Sequence, residues 1–215
     1  MAKFGIGRAA VVACCLAAAA LGVGAVRPDT PSPPQDDNTP AADPPPGFLL
    51  VASSQIGDPR FQHTVILLLR HNQDGAFGIV INRPVAERAL AALLEAAGDK
   101  DSDAEGSIGV FDGGPVQRRL GFVVHTADYR QPDTIAVDGK VAMTASKEAL
   151  RDIGRHKGPS KYFFAFGYTG WGAGQLEGEI ARHDWFAVPE DAGLVFDEDR
   201  ETVWEHALAR RGQDL

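Results

Sequence analysis

From Gly47 onward, apolar and polar positions fall into the short blocks that build a sheet. Residues 48–52 (FLLVA), 64–70 (TVILLLR) and 76–82 (AFGIVIN) are apolar runs, and each predicts a buried strand. Gly57, Asp58 and Pro59 separate the first pair, while residues 72–75 (NQDG) form a four-residue polar link suited to a hairpin. Pro84 is expected to end the third strand, after which Leu and Ala recur at helical spacing over residues 87–97, with Gly98 as the C-terminal stop. Residues 99–106 read as a polar loop. Strands are predicted at 107–111 and 121–126, on either side of a turn at residues 112–115 (DGGP). Residues 134–137 and 141–144 flank Asp138-Gly139 as a second hairpin, and Ser146 caps a helix running through His156. Residues 162–166 (YFFAF) form the most hydrophobic strand candidate. A glycine-rich loop at 167–174, a short helix at 175–182, strands at 185–188 and 194–196 and a terminal helix at 201–211 complete the chain. Strands outnumber helices and several are joined by hairpins, which predicts a single α+β domain with a mixed, largely antiparallel sheet and flanking helices.

The first 46 residues break this pattern. Lys3 and Arg8 precede an uninterrupted apolar and small-residue run over 9–26, the layout of a signal peptide, with Val23-Gly24-Ala25 placing cleavage after Ala25. Left uncleaved, residues 9–26 make a helix of about 27 Å at 1.5 Å per residue, enough to anchor the chain in a thin bilayer. Cys14 and Cys15 both lie in this run. Residues 11–14 match the short pattern before a lipidated cysteine, but the apolar run continues well past it, where a lipidated terminus leads into a polar tether. Cleavage leaves a mature chain without cysteine, which excludes thiol chemistry, disulfides and cysteine metal sites. Residues 27–46 are rich in Pro, Asp, Asn and Ser and read as a disordered spacer. The expected organisation is therefore a signal peptide or anchor at 1–26, a linker at 27–46 and the domain at 47–215. The expected location is periplasmic or otherwise exported, or anchored. A start codon placed too far upstream would instead leave a cytoplasmic protein.

With 44% hydrophobic and 23% charged residues, the bulk of the chain has the composition of a folded domain. Its formal net charge is −8, and cleavage would lower it by the two charges of Lys3 and Arg8. The longest basic runs are Arg118-Arg119 and Arg210-Arg211, so nucleic acid is a poor partner. Contact with a membrane is expected only through residues 9–26.

Taken in order, three blocks carry a resemblance: residues 48–85 (FLLVASSQIGDPRFQHTVILLLRHNQDGAFGIVINRPV), 110–125 (VFDGGPVQRRLGFVVH) and 166–186 (FGYTGWGAGQLEGEIARHDWF). Together they resemble the YqgE/AlgH family from about Gly47 to the C-terminus. Members of that family generally lack an export signal. The resemblance implies transcriptional regulation for some members, but this sequence has no helix-turn-helix or basic patch to support that role.

The glycine-rich segment follows a strand and precedes a helix, an arrangement in which backbone N–H groups can cradle an anion. It lacks the full dinucleotide spacing, no Lys or Arg follows to meet phosphate, and Glu177 and Glu179 add repulsion. The alternative is glycines that permit a tight turn under Trp171. The six histidines have no metal-ligand spacing, and Ser53 and Ser54 have no nucleophile-elbow context. No catalytic residue, metal site or cofactor is expected. The candidate ligand-binding residues are Asn82, Arg83, Gly113, Gly114, Trp171, Gly172, Gly174 and Gln175, each just after a predicted strand and expected to form one polar surface. The competing reading puts Trp171 in the core and pairs Arg83 with a carboxylate such as Asp58. Two functional classes stay open: a noncatalytic binding or regulatory module with a protein or small-molecule partner, and a small-ligand binder or enzyme using the 167–174 loop.

Overall fold

The computed structural model describes residues 43–99, 104–196 and 199–211. The signal-like run, its cleavage site and residues 27–42 of the spacer lie outside the described residues. The last spacer residues are held against the domain: Pro44 is buried, and His71 Nδ1 donates to its carbonyl at 2.8 Å.

The long apolar runs form strands because they have a core on each side. β1 (Phe48–Ala52), β2 (Val65–Asn72) and β3 (Gly75–Val80) make an antiparallel meander. Leu49, Val51, Leu67 and Ile79 enter one core, while Leu50, Ala52, Ile66 and Val80 enter another. Burial of both faces is why these segments read as continuous apolar runs without polar alternation. Each fully buried Leu or Ile contributes about 1.5–3 kcal/mol.

Then follow β4 (Pro84–Ala89), α1 (Leu90–Ala96), β5 (Ser107–Asp112), β6 (Val116–Thr126), β7 (Ile135–Ala136), β8 (Val141–Thr144) and α2 (Lys147–Gly154). After them come β9 (Tyr162–Gly172), α3 (Gln175–Ala181), β10 (Trp185–Pro189), α4 (Ala192–Val195) and α5 (Val203–Ala209). The strand order is β10-β1-β2-β3-β9-β6-β8-β7, with β5 joined to β9 and β4 joined to β5. Among the described residues β5–β9 is the parallel pair and the other pairings are antiparallel. This is a mixed, sheet-rich α+β domain. Helices α1 and α2 cover β5 and β6, α3 packs on the Trp171–Trp185 core, and α4 and α5 close the largest core.

β9 changes partners along its length. Residues 164–166 lie between β5 and β6, whereas residues 169–172 pair with β3. The change occurs at Gly167, which has φ +74° and passes so close to Gly114 that a Cβ would lie 2.4 Å from the Gly114 carbonyl oxygen. A side chain there would separate the two backbones, so the curl of the sheet depends on this glycine.

Four expectations are corrected. Residues 84–89 are strand, not strand end and helix: the helix starts only at Leu90, where the stripe of buried Leu90, Leu93 and Leu94 begins, while the preceding residues pair with β5. Residues 167–172 continue β9, leaving only Ala173 and Gly174 as a turn, because Gly75 and Gly78 let the β3 backbone approach them. Residues 194–196 are not a strand, since the Asp191 side chain accepts from Gly193 N at 2.6 Å and caps α4. The link between β2 and β3 is tighter than four residues, since Asn72 pairs with Gly75. Ser146 does stand at the N-cap of α2, but its side chain makes no capping bond.

Candidate functional site

The eight candidate residues fall into two groups at opposite ends of β3. At one end, Asn82 Oδ1 accepts from Val65 N at 2.9 Å and Nδ2 donates to His63 O at 2.8 Å, tying the exit of β3 to the entry of β2. Arg83 Nη2 donates to Thr64 Oγ1 at 2.6 Å and to Gln62 O at 3.2 Å. Burial lowers the Arg83 pKa from its ordinary value, and nearby Asp112 opposes that shift. Neither carboxylate in the region forms an ion pair with it: Asp58 pairs with Arg60 at 2.6 Å and Asp112 with Arg118 at 2.7 Å. The expected Arg83–Asp58 pair is thus replaced by neutral acceptors. Gly113 and Gly114 are buried beside this end. Gly113 N donates to Phe166 O at 2.8 Å and its carbonyl accepts from Val80 N at 3.0 Å.

At the other end, Trp171 is 8% exposed and belongs to the core under α3. Its Nε1 donates to Glu179 Oε2 at 2.8 Å, the same oxygen that accepts from Trp185 Nε1 at 2.8 Å. Gln175 Nε2 donates to Glu179 Oε1 at 2.9 Å, while Gln175 Oε1 accepts from Gly172 N at 3.2 Å. The N–H that an anion cradle would need at Gly172 is therefore already engaged. Gly174 has φ +72° and stands at the N-cap of the short α3, the backbone geometry of a turn.

β3 pairs Gly75 with Gly172 at one end, and its last residue, Val80, meets Gly113 at the other. Five residues of strand separate the groups by about 17 Å. The set expected to form one polar surface instead makes two braces inside the sheet.

A broad concave surface lies elsewhere. A cleft of about 1340 Å³ runs between β4–β5 and the α4–α5 segment, with the start of β9 at its back. Pro84, Ala86, Phe111, Lys161, Tyr162 and His206 are among its lining residues. Arg200 lies 4.9 Å from the Phe111 ring centroid and 5.5 Å from that of Phe163, and its Nη1 donates to Val195 O at 2.7 Å. β4 forms one wall of the cleft. Among the described residues it pairs with β5 alone, and its side chains are exposed except for partly covered Ala86, with Val85 66% exposed. Reading residues 87–97 as helix hid this edge. A second unforeseen feature is Glu190, 7% exposed, whose carboxyl meets Asp138 with no donor reaching either of its oxygens among the described residues. Burial first, and Asp138 second, push the Glu190 pKa up to about 8.

Among the described residues, no group of three or more His, Cys, Asp or Glu is placed to hold a metal ion, and no helix is long and apolar enough to cross a membrane.

The fold belongs to a known class. The sequence matches the AlgH-like family over residues 49–215, and the chain belongs to that family. It is 44% identical over 168 residues to a UPF0301 protein of Caulobacter vibrioides, covering 77% of this chain and 86% of the relative. It is 42% identical over 168 residues to a UPF0301 protein of Rhodospirillum rubrum, covering 78% of this chain and 88% of the relative. The solution structure of AlgH from Pseudomonas aeruginosa aligns with TM-score 0.66 at 37% identity over 76% of this chain and 87% of that one. A crystal structure of protein DIP2367 from Corynebacterium diphtheriae shares the fold, with TM-score 0.62 at 22% identity over 80% of this chain and 90% of that one.

Proposed function

We propose that this domain is a noncatalytic binding module that receives an extended segment of a protein partner along the outer edge of β4. The observation carrying this reading is an edge strand that, among the described residues, is open on one side and set as the wall of the cleft. An unpaired edge offers a row of backbone donors and acceptors, and a partner strand adds to it through main-chain hydrogen bonds while its alternate side chains enter the adjoining depression. Phe111 and Tyr162 supply aromatic surface there, and Val85 supplies an exposed apolar contact beside Glu87 and Arg88. Against the alternative reading, a ligand loop at 167–174, stand the continuation of β9 through Gly172 and the engagement of Gly172 N by Gln175.

A photo-crosslinking amino acid placed at Val85 in producing cells tests the proposal, with Ile135, 41% exposed on β7, as the control position. The expected result is a discrete adduct from position 85, mapped by mass spectrometry to one extended segment of one protein, and none from position 135. No adduct at 85, or the same adducts from both positions, overturns it.

A further inference from the structure

We propose that a second pocket, sharing no lining residue with the cleft beside β4, binds a medium-chain monocarboxylate, with its alkyl body inside and its carboxylate at the rim. The pocket encloses about 300 Å³ between α1, the start of α2 and the strands β6 and β9, at the lower end of the range for small-molecule sites. Leu93, Phe122, Val123, Leu150, Phe164 and Phe166 wall it, and the first five of these are at most 9% exposed. Such a floor favours an alkyl chain, at about 0.8 kcal/mol for each methylene removed from water. Leu120, 47% exposed, extends the apolar surface to the lip.

The rim supplies the charge argument. On a chain of net charge −8, the titratable residues lining this pocket are Arg119 and Lys147, and no carboxylate is among the lining residues. Neither cation makes an ion pair among the described residues, whereas Arg118 next door pairs with Asp112 and Arg151 of α2 pairs with Asp99 and Glu148. Ser146 lines the same rim, and its hydroxyl makes no bond to the helix it precedes, so it is available as a further donor. An apolar pocket ending in two uncompensated cations and a hydroxyl is complementary to a single carboxylate carrying an alkyl tail. The packing beneath the pocket is specific. The Phe164 ring lies against Gly121 so closely that a Cβ there would meet its Cζ at 2.0 Å, which fixes the ring as part of the wall.

The experiment is calorimetric titration of decanoate into the purified full chain, with decan-1-ol and phenylacetate as competing probes. The wild-type chain is compared with Arg119→Glu/Lys147→Glu and with Arg119→Lys/Lys147→Arg. The expected result is decanoate binding that weakens about tenfold or more in the charge-reversed chain and is retained in the charge-conserving one, with weaker binding of decan-1-ol and phenylacetate. Equal decanoate affinity in the wild-type and charge-reversed chains overturns the proposal, because uptake by the apolar N-terminal run would not respond to these substitutions. Decan-1-ol binding as tightly as decanoate, or phenylacetate binding more tightly, overturns it as well. A third variant, Ala96→Trp at the mouth, is expected to abolish decanoate binding without altering the crosslink from position 85, which separates this site from the β4 edge.

Discussion

Two glutamates face opposite circumstances in this domain. Glu179 receives two indole N–H groups, from Trp171 and Trp185, and the amide of Gln175, so both its oxygens are engaged. Glu190 lies at the junction of β10 with the β7–β8 hairpin, where its backbone N–H donates to Gly47 O at 3.0 Å but its side-chain oxygens, among the described residues, meet the carboxyl of Asp138 and no donor. Asp138 is itself held as the anion, despite burial, by bonds from Glu190 and the backbone N–H groups of Lys140 and Val141. A polar group inside a sheet protein is governed by its donors, since an anion with three donors acts as a brace while one without donors must keep its proton.

Breaking the first corner should have the largest effect. Glu179→Leu leaves two indole N–H groups without an acceptor in a core where Trp171 is 8% and Trp185 2% exposed. Each orphaned donor costs about 1–3 kcal/mol, so urea unfolding should register a loss of about 2–5 kcal/mol with an unchanged m-value. Glu179→Gln keeps an acceptor oxygen and should lose less than half as much. Equal losses for the two variants would mean that shape, and not hydrogen bonding, holds the tryptophans.

The second corner gives a pH dependence of defined sign. In the unfolded chain Glu190 titrates near 4.5, while in the fold it holds its proton up to about 8, with Asp138 and Asp191 raising the value and Lys140 opposing them. Between these values the folded state binds the extra proton. This contribution to stability is fully present below pH 4.5 and is lost as pH rises through about 8. Glu190→Gln cannot ionise and can still donate to Asp138. It should be more stable than the wild-type chain by about 2–4 kcal/mol at pH 9, and the difference should vanish toward pH 4.5. A difference independent of pH would show that packing, not the proton, separates the two chains.

Much of the sheet was legible in the sequence because buried strands announce themselves by composition. Residues 48–52 and the Asp138-Gly139 hairpin fall where the pattern places them. The errors at 84–89 and 167–174 share one cause, which is that local pattern is silent about partners. Residues 84–89 carry helix-forming Ala, Glu and Arg, but β5 lies alongside and makes them a strand. The glycines at 167–174 look like a loop until β3 and Gly114 are seen to press against that backbone. Asn82, Arg83, Trp171 and Gln175 were recognisable as special, but a single sequence does not reveal that their polar atoms are engaged within the fold. Glu190 carried no signal at all, because its neighbour Asp138 is more than fifty residues away in the chain.

Removing the outermost donor of the first corner should have the smallest effect, and it asks whether Gln175 belongs to a recognition surface or to the brace. Gln175 is exposed and bridges Gly172 N to Glu179 Oε1, so Gln175→Ala returns both groups to water with no donor left buried. Solvent replaces the lost bonds, and the indoles keep their acceptor on Glu179 Oε2. The expected loss in urea unfolding is under about 1 kcal/mol, several-fold smaller than for Glu179→Leu. Position 85 should still give its crosslink and decanoate should still bind, since Gln175 lines neither the cleft nor the second pocket. Loss of either binding signal in a chain of near-normal stability would return Gln175 to the recognition surface and end the view of this corner as a brace alone.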